Sequence, residues 1–286
     1  LNGRSSYRGM LLDFNERTKP SQGKVVWALE KFVQRQMLQV YPEYFDLEKK
    51  IAQYTGVKSN QVMVTNGSDQ GIDIIFRTFT EKGDKVIIPS PSFAMFYQCA
   101  QIVGNEIVCP LYNKDDLAFP LKEVLASVDE KVKLIVVCNP NNPTGTAVSV
   151  SDIEKIARKA KKAIVYVDEA YFEFSNITAV SLIKKYPNII VTRTFSKAFG
   201  LPSLRIGYCV ARNEYIAEMQ KVRGPYDVNM AAYYAAIAAM KDRKNMERYA
   251  KEVMVKAKPL VEKFFSENAI PYFPSQSNFI LFRPDN

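Results

Sequence analysis

The chain has 286 residues, 47% hydrophobic and 24% charged, with a formal net charge of +9 and no histidine. That is the make-up of an ordinary soluble globular protein with one large core, or a large domain and a smaller one, and it excludes histidine triads, histidine bases and histidine metal sites. The positive charge is dispersed over helical faces (Lys155, Lys159, Lys161, Lys162) without interleaved aromatics, which sets nucleic acid aside.

Residues 1–24 are polar and irregular and read as an arm. The apolar spacing from Val25 to Val40 predicts an amphipathic helix with Val26, Leu29, Val33 and Leu38 on its buried face. Tyr41-Pro42-Glu43 breaks it, and a second helix is expected over Tyr44–Thr55, closed by Gly56. A short strand, Gln61–Thr65, runs into the turn Asn66-Gly67-Ser68-Asp69, and a helix continues to Phe79. From there strands and helices alternate. The strands are Lys85–Ile88, Glu106–Cys109, Val132–Cys138, Ala163–Val167, Asn188–Thr192 and Ile206–Val210. The helices are Phe93–Val103 and Asp152–Lys161, the latter with Ser151 as its N-cap. The alternation predicts an α/β domain with a mainly parallel sheet, whose functional residues lie in loops at strand ends. Beyond Arg212 the pattern turns helical, with an alanine-rich helix Asn229–Met240 and a long helix Arg243–Asn268, and Asn278–Phe282 starts one more strand.

The expected division is an arm and helix (1–40), a large domain (41–240), and a linking helix with the start of a small domain (241–286). No apolar run approaches a membrane span and no basic-then-apolar leader opens the sequence, so a cytoplasmic protein without membrane partners is expected. Cys99, Cys109, Cys138 and Cys209 are scattered; Cys109 and Cys138 close apolar strands and are expected as buried free thiols, and no zinc spacing is present.

The chemistry centres on Thr194-Phe195-Ser196-Lys197-Ala198-Phe199-Gly200, followed by Arg205. Desolvation and nearby positive charge hold such a lysine neutral and make it an amine nucleophile. Ser196 and Arg205 are groups that suit a phosphate monoester. A surface lysine on a loop is the alternative. Asn66-Gly67-Ser68-Asp69 opens a helix, where backbone N–H groups bind phosphate, although on these residues alone a plain capped start is the stronger reading. Phe93, with Phe96 and Tyr97 as rivals, offers an aromatic face after Pro89-Ser90-Pro91-Ser92, or is simply a core aromatic. Asn139-Pro140-Asn141-Asn142-Pro143-Thr144-Gly145 is a rigid turn closing a buried strand. Asp168 stands at the mouth of an apolar strand, where an anion is costly unless a cation meets it, while neighbouring Glu169 reads as structural.

Together these segments resemble the fold-type I enzymes that use pyridoxal phosphate, and within them the histidinol-phosphate aminotransferase branch. The likeness runs from about Asn15 to about Arg283. It implies that Lys197 forms the Schiff base, that Asp168 pairs with the ring nitrogen, and that Asn142 and Tyr171 hold the ring oxygen. It implies Phe93 stacked on the ring, with Gly67, Ser68, Asp69, Ser196 and Arg205 around the phosphate. Tyr41 matches a tyrosine that reaches the neighbouring subunit's cofactor, which implies a homodimer; a core aromatic at a helix end is the alternative. Arg223-Gly224-Pro225-Tyr226-Asp227-Val228-Asn229 matches a family segment with no role carried over. The implied reaction moves an amino group between an amino acid or amino phosphate, histidinol phosphate favoured, and a 2-oxo acid such as 2-oxoglutarate. A decarboxylase of the threonine-phosphate type, an aromatic aminotransferase and a non-enzymatic regulator of the same fold are the alternatives. The family's carboxylate-binding arginine would follow Ser277–Leu281, whereas the sequence given stops at Asn286, so the small domain is expected to look incomplete.

Overall fold

Short β-branched runs form the strands β1 (Val62–Thr65), β2 (Lys85–Ile87), β3 (Glu106–Val108), β4 (Val132–Cys138), β5 (Ile164–Asp168), β6 (Ile189–Thr194) and β7 (Gly207–Val210). The structure is a computed structural model that describes residues 7–9, 11–20 and 23–284. The strands make one sheet in the order β1-β7-β6-β5-β4-β2-β3. Pairings among β2 to β6 are parallel, and β7 runs antiparallel to both β1 and β6.

The helices are α1 (Gly23–Gln34), α2 (Phe45–Thr55), α3 (Gly67–Phe79), α4 (Ala94–Val103), α5 (Leu121–Ala126), α6 (Val150–Lys159), the single turn α7 (Phe172–Ser175), α8 (Asn213–Val222), α9 (Met230–Lys241), α10 (Arg243–Glu252) and α11 (Lys258–Glu267). Among the described residues no helix is long and apolar enough to cross a membrane.

Alternate residues of the central strands feed two cores, one on each face of the sheet. Ile135, Val137, Val165, Val167 and Val191 point to one. Leu134, Val136, Ile164, Tyr166 and Ile190 point to the other. A sheet covered on both faces is what near-continuous apolar strands require. α3 lies close on the sheet because Gly71 has no side chain: a Cβ there would stand 3.0 Å from Cys209 Sγ.

Several expectations need correction. α1 stops at Gln34, because Gln36 takes a left-handed φ of +51° that a helix cannot continue. It buries Val25 and Phe32, with Leu29 partly covered, whereas Val26, Val33 and Leu38 are exposed. Apolar residues lie on two faces of this helix, so periodicity could not choose; packing on α9 does, with Phe32 stacked on Tyr234 at 5.1 Å. The cap of α6 is Ser149, whose Oγ accepts from Asp152 N, not Ser151. The long C-terminal helix is interrupted by a π-helical stretch, Val253–Ala257, just ahead of Pro259, which has no N–H to continue an α-helical ladder. The strand expected over Asn278–Phe282 is reduced to an isolated bridge between Tyr272 and Phe282. Cys109 is exposed, because β3 is the edge strand; Cys99, Cys138 and Cys209 are buried free thiols. Residues 1–6, 10, 21 and 22 of the expected arm lie outside the described residues.

Candidate active site

The sheet register sets Cys138 and Asp168, the last residues of β4 and β5, level with Thr192, two residues before the end of β6. The chain leaves this rim in three loops, Asn139–Gly145, Glu169–Tyr171 and the lysine loop from Phe195 onward. They surround a cavity of about 700 Å³ lined by Ser68, Asp69, Phe93, Asn142, Asp168, Tyr171, Ser196, Lys197 and Arg205. That volume suits a small organic ligand.

Asp168 continues the Tyr166 face of β5 and is 3% exposed. Its Oδ1 accepts from Thr192 Oγ1 at 3.1 Å and from Ala170 N at 3.2 Å. Burial pushes its pKa up to about 7, against the Thr192 hydrogen bond, and the charge of Asp69 adds to the rise. Among the described residues no Lys or Arg pairs with it. Glu169, one residue on, points to the other face and has its cation built in. Its carboxylate meets the Arg193 guanidinium at 2.8 Å, with Thr178 and Ala179 as further donors, and both charged side chains are almost wholly buried.

Lys197 donates to the Phe14 carbonyl at 2.6 Å and lies 5.6 Å from the centre of the Tyr171 ring. Desolvation lowers its pKa, opposed by Glu16, Asp69 and Asp168 and assisted by Arg205. Tyr171 is buried, and its phenol oxygen takes hydrogen bonds from Asn15 Nδ2 at 3.2 Å and Asn142 Nδ2 at 3.4 Å. Phe93 lines the cavity; its rival Phe96 is fully buried against Tyr166, and Tyr97 turns its hydroxyl to the Pro89 carbonyl.

An anion cradle forms the opposite end. Arg205, held at a left-handed φ of +51°, reaches Asp69 at 2.8 Å and Ser196 Oγ at 3.5 Å. Gly67 takes φ +76°, and a Cβ on it would lie 2.6 Å from Arg205 Nη2, so only glycine lets the guanidinium close on the start of α3. The Arg223–Asn229 segment braces this turn from behind. Asp227 accepts from Gln70 Nε2 at 2.6 Å, and Gln70 Oε1 in turn accepts from Asn66 N at 2.6 Å.

A sequence model of the family described as aminotransferase class I and II matches residues 9–284. The chain belongs to that family. It is 36% identical over 279 residues to a histidinol-phosphate aminotransferase of Caldanaerobacter subterraneus subsp. tengcongensis, covering 96% of this chain and 78% of the relative. The crystal structure of a histidinol-phosphate aminotransferase from Clostridium acetobutylicum superposes with a TM-score of 0.87 at 25% identity, covering 95% of this chain and 82% of that one. Another, from Sinorhizobium meliloti and solved in complex with pyridoxal-5′-phosphate, gives 0.85 at 23% identity over 93% and 73% of the two chains. The fold is therefore that of the fold-type I aminotransferases, and this chain is an aminotransferase that uses pyridoxal phosphate.

The residues present fit this cofactor. A buried carboxylate without an internal cation suits a protonated ring nitrogen, and the glycine-lined cradle with Arg205 suits the phosphate. Of the residues singled out in the sequence, the cavity gathers all but two. Gly67 backs it through its contact with Arg205. Tyr41 does not line it: it is 70% exposed and stacked on Tyr226 at 4.2 Å, so it is not a core aromatic either. Sequence reasoning missed Asp13, Phe14, Asn15 and Glu16, which line the cavity from a segment read as an arm. Nothing periodic or compositional marks them.

Proposed function

We propose that this aminotransferase takes its amino group from histidinol phosphate or a closely similar amino phosphate and passes it to 2-oxoglutarate. The names of the similar proteins support the donor. The observation that carries the reading of the site is the convergence of Lys197, Asp168 and the Arg205 cradle on one cavity.

In this reading Gly67, Ser68, Asp69, Ser196 and Arg205 hold the cofactor's phosphate. The Asp69–Arg205 pair is half-exposed, contributes little by itself, and yields to a phosphate. Phe93 covers a ring face, Asn142 and Tyr171 hold the ring oxygen, and Asp168 holds the proton on the ring nitrogen. Bound there, the cofactor supplies an electrophilic carbon for amines and a ring that takes up the electron pair left when a proton leaves the substrate. Lys197 would be the residue that holds the cofactor through its amine, and with that amine free its Nζ would take the proton from the amine-bearing carbon of the substrate. Desolvation, which lowers its pKa, makes that amine available as a base. The test is a panel of amino donors with 2-oxoglutarate as acceptor, followed by product analysis. Histidinol phosphate is expected to give the highest kcat/KM with glutamate as co-product. Carbon dioxide release in place of glutamate would favour the decarboxylase reading.

We further propose a cytoplasmic homodimer. Four free cysteines suit a reducing compartment. The division into 1–40, 41–240 and 241–286 belongs to the same proposal, with the whole sheet falling inside the middle part. Exposed Tyr41 is assigned to the neighbouring subunit's phosphate. Tyr41→Phe is expected to lower activity about 10–100-fold, the worth of one hydrogen bond to a charged group. Mixed after dissociation with inactive Lys197→Ala, it is expected to regain activity, because one site of each heterodimer then has both groups. A mixture no more active than its Tyr41→Phe content would remove Tyr41 from the site.

A further inference from the structure

Asp13, Phe14, Asn15 and Glu16 line the cavity, and the segment they open, through Lys19, is tied down at several points. Lys19 pairs with Glu252 at 2.6 Å, and Thr18 N donates to Tyr249 Oη at 3.1 Å. Arg17 reaches Asn245 at 2.8 Å and the Ala198 carbonyl at 3.1 Å, linking α10 to the lysine loop. Asn278 Nδ2 donates to the Asn15 carbonyl at 3.0 Å. Between these anchors Asn15 takes φ +53°, a left-handed conformation that asparagine tolerates better than most residues, and its amide points at Tyr171.

A phenol oxygen has two lone pairs and one hydrogen. At Tyr171 two amide N–H groups, from Asn15 and Asn142, fill the acceptor positions. The hydrogen that remains has no protein acceptor among the described residues, and Tyr171 lines the cavity. Asn142 has a second duty toward the ring oxygen, whereas among the described residues the Asn15 side chain bonds to Tyr171 alone. We propose that Asn15 is a positioning residue: its side-chain amide donates to the Tyr171 phenol oxygen and so directs the Tyr171 hydroxyl hydrogen to the cofactor's ring oxygen. This rests on the assignment of Tyr171 made above. The other groups bearing on the phenol are Lys197 beside its ring, and Cys138 and Asp168 at the strand ends.

The donation has a sign. A hydrogen bond given to the ring oxygen draws negative charge from it, so a proton held near that oxygen is bound less tightly. The amide behind Tyr171 makes its hydroxyl a stronger donor. Removing the amide therefore raises the pH at which the visible band of the loaded protein titrates.

The experiment compares the cofactor-loaded wild type with Asn15→Gly, Tyr171→Phe and the double variant, reading the midpoint of that titration. Glycine accepts the left-handed φ and adds no charge. Asn15→Gly is expected to raise the midpoint by roughly 0.5 unit and Tyr171→Phe by more, with the double variant matching Tyr171→Phe. A merely structural loosening would add the same shift in either background. Three results would overturn the proposal. If Asn15→Gly keeps the wild-type midpoint while Tyr171→Phe moves it, Asn15 does not act on Tyr171. If the Asn15→Gly shift persists in full beside Tyr171→Phe, it acts elsewhere. If Tyr171→Phe itself moves nothing, the assignment of Tyr171 fails and the role of Asn15 goes with it.

Discussion

Lys197→Ala is expected to remove the visible absorption band of the loaded protein and to lower turnover by at least about 10⁴-fold, because nucleophile and base are lost together. The empty protein should melt close to the wild type. The lysine amine gives up one hydrogen bond, to the Phe14 carbonyl, and its removal ends the cost of desolvating an ammonium group. Borohydride reduction supplies the complementary measurement. The label is expected on Lys197 alone in the wild type and nowhere in the variant; label on any other lysine would displace Lys197 from its role.

Asp168→Asn is expected to act in opposite directions on the loaded and the empty protein. In the loaded enzyme it removes the anion that faces the ring nitrogen. Breaking a buried pair costs about 3–5 kcal/mol, or roughly 10²–10⁴-fold in turnover if the loss falls on the transition state. Turnover within tenfold of the wild type would remove Asp168 from the mechanism. In the empty protein the burial that pushes its pKa up to about 7 is a burden. An unfolded aspartate titrates near ~3.9, so the folded chain keeps its proton where the unfolded chain has released it. The penalty is absent at low pH, grows from about pH 4, and is complete above about pH 7 at roughly 4 kcal/mol. Empty Asp168→Asn is therefore expected to be more stable than the empty wild type at about pH 8, with the difference vanishing near pH 4. Glu173, which burial also pushes up to about 7, titrates in the same window but is common to both proteins and cancels. Parallel pH-dependent melts check the sign.

Most of the sheet and the site rim was legible because apolar strands end abruptly in residues that strands do not favour. Asp168 could be found by its cost: five consecutive residues of β5 are buried, and an anion ending such a run must meet a cation. Glu169 reads as structural, and it is: the strand's alternation sends it to the other face, where Arg193 meets it, a partner the sequence did not name. The face of α1 was illegible because apolar residues occupy two sides of it and a distant helix chooses between them. Ser151 is the expected cap of α6, but the helix begins at Val150, so the extended residue before it, Ser149, takes that place. Asn15 and Phe14 escaped because their whole value comes from partners such as Tyr171 and Lys197, far along the chain.

The segment that lines the cavity from Asp13 to Glu16 also has a consequence for the order in which a nascent chain can finish itself. Thr18 is held by Tyr249, 231 positions later, whereas the last strand of the sheet ends at Val210. A ribosome therefore delivers the strand ends, the phosphate turn and the lysine loop before it delivers the helix that fastens residues 13–19 beside them. Residues 13–19 precede every strand in the chain yet dock on a helix that follows the last of them, and the contacts they make are of the slow, long-range kind.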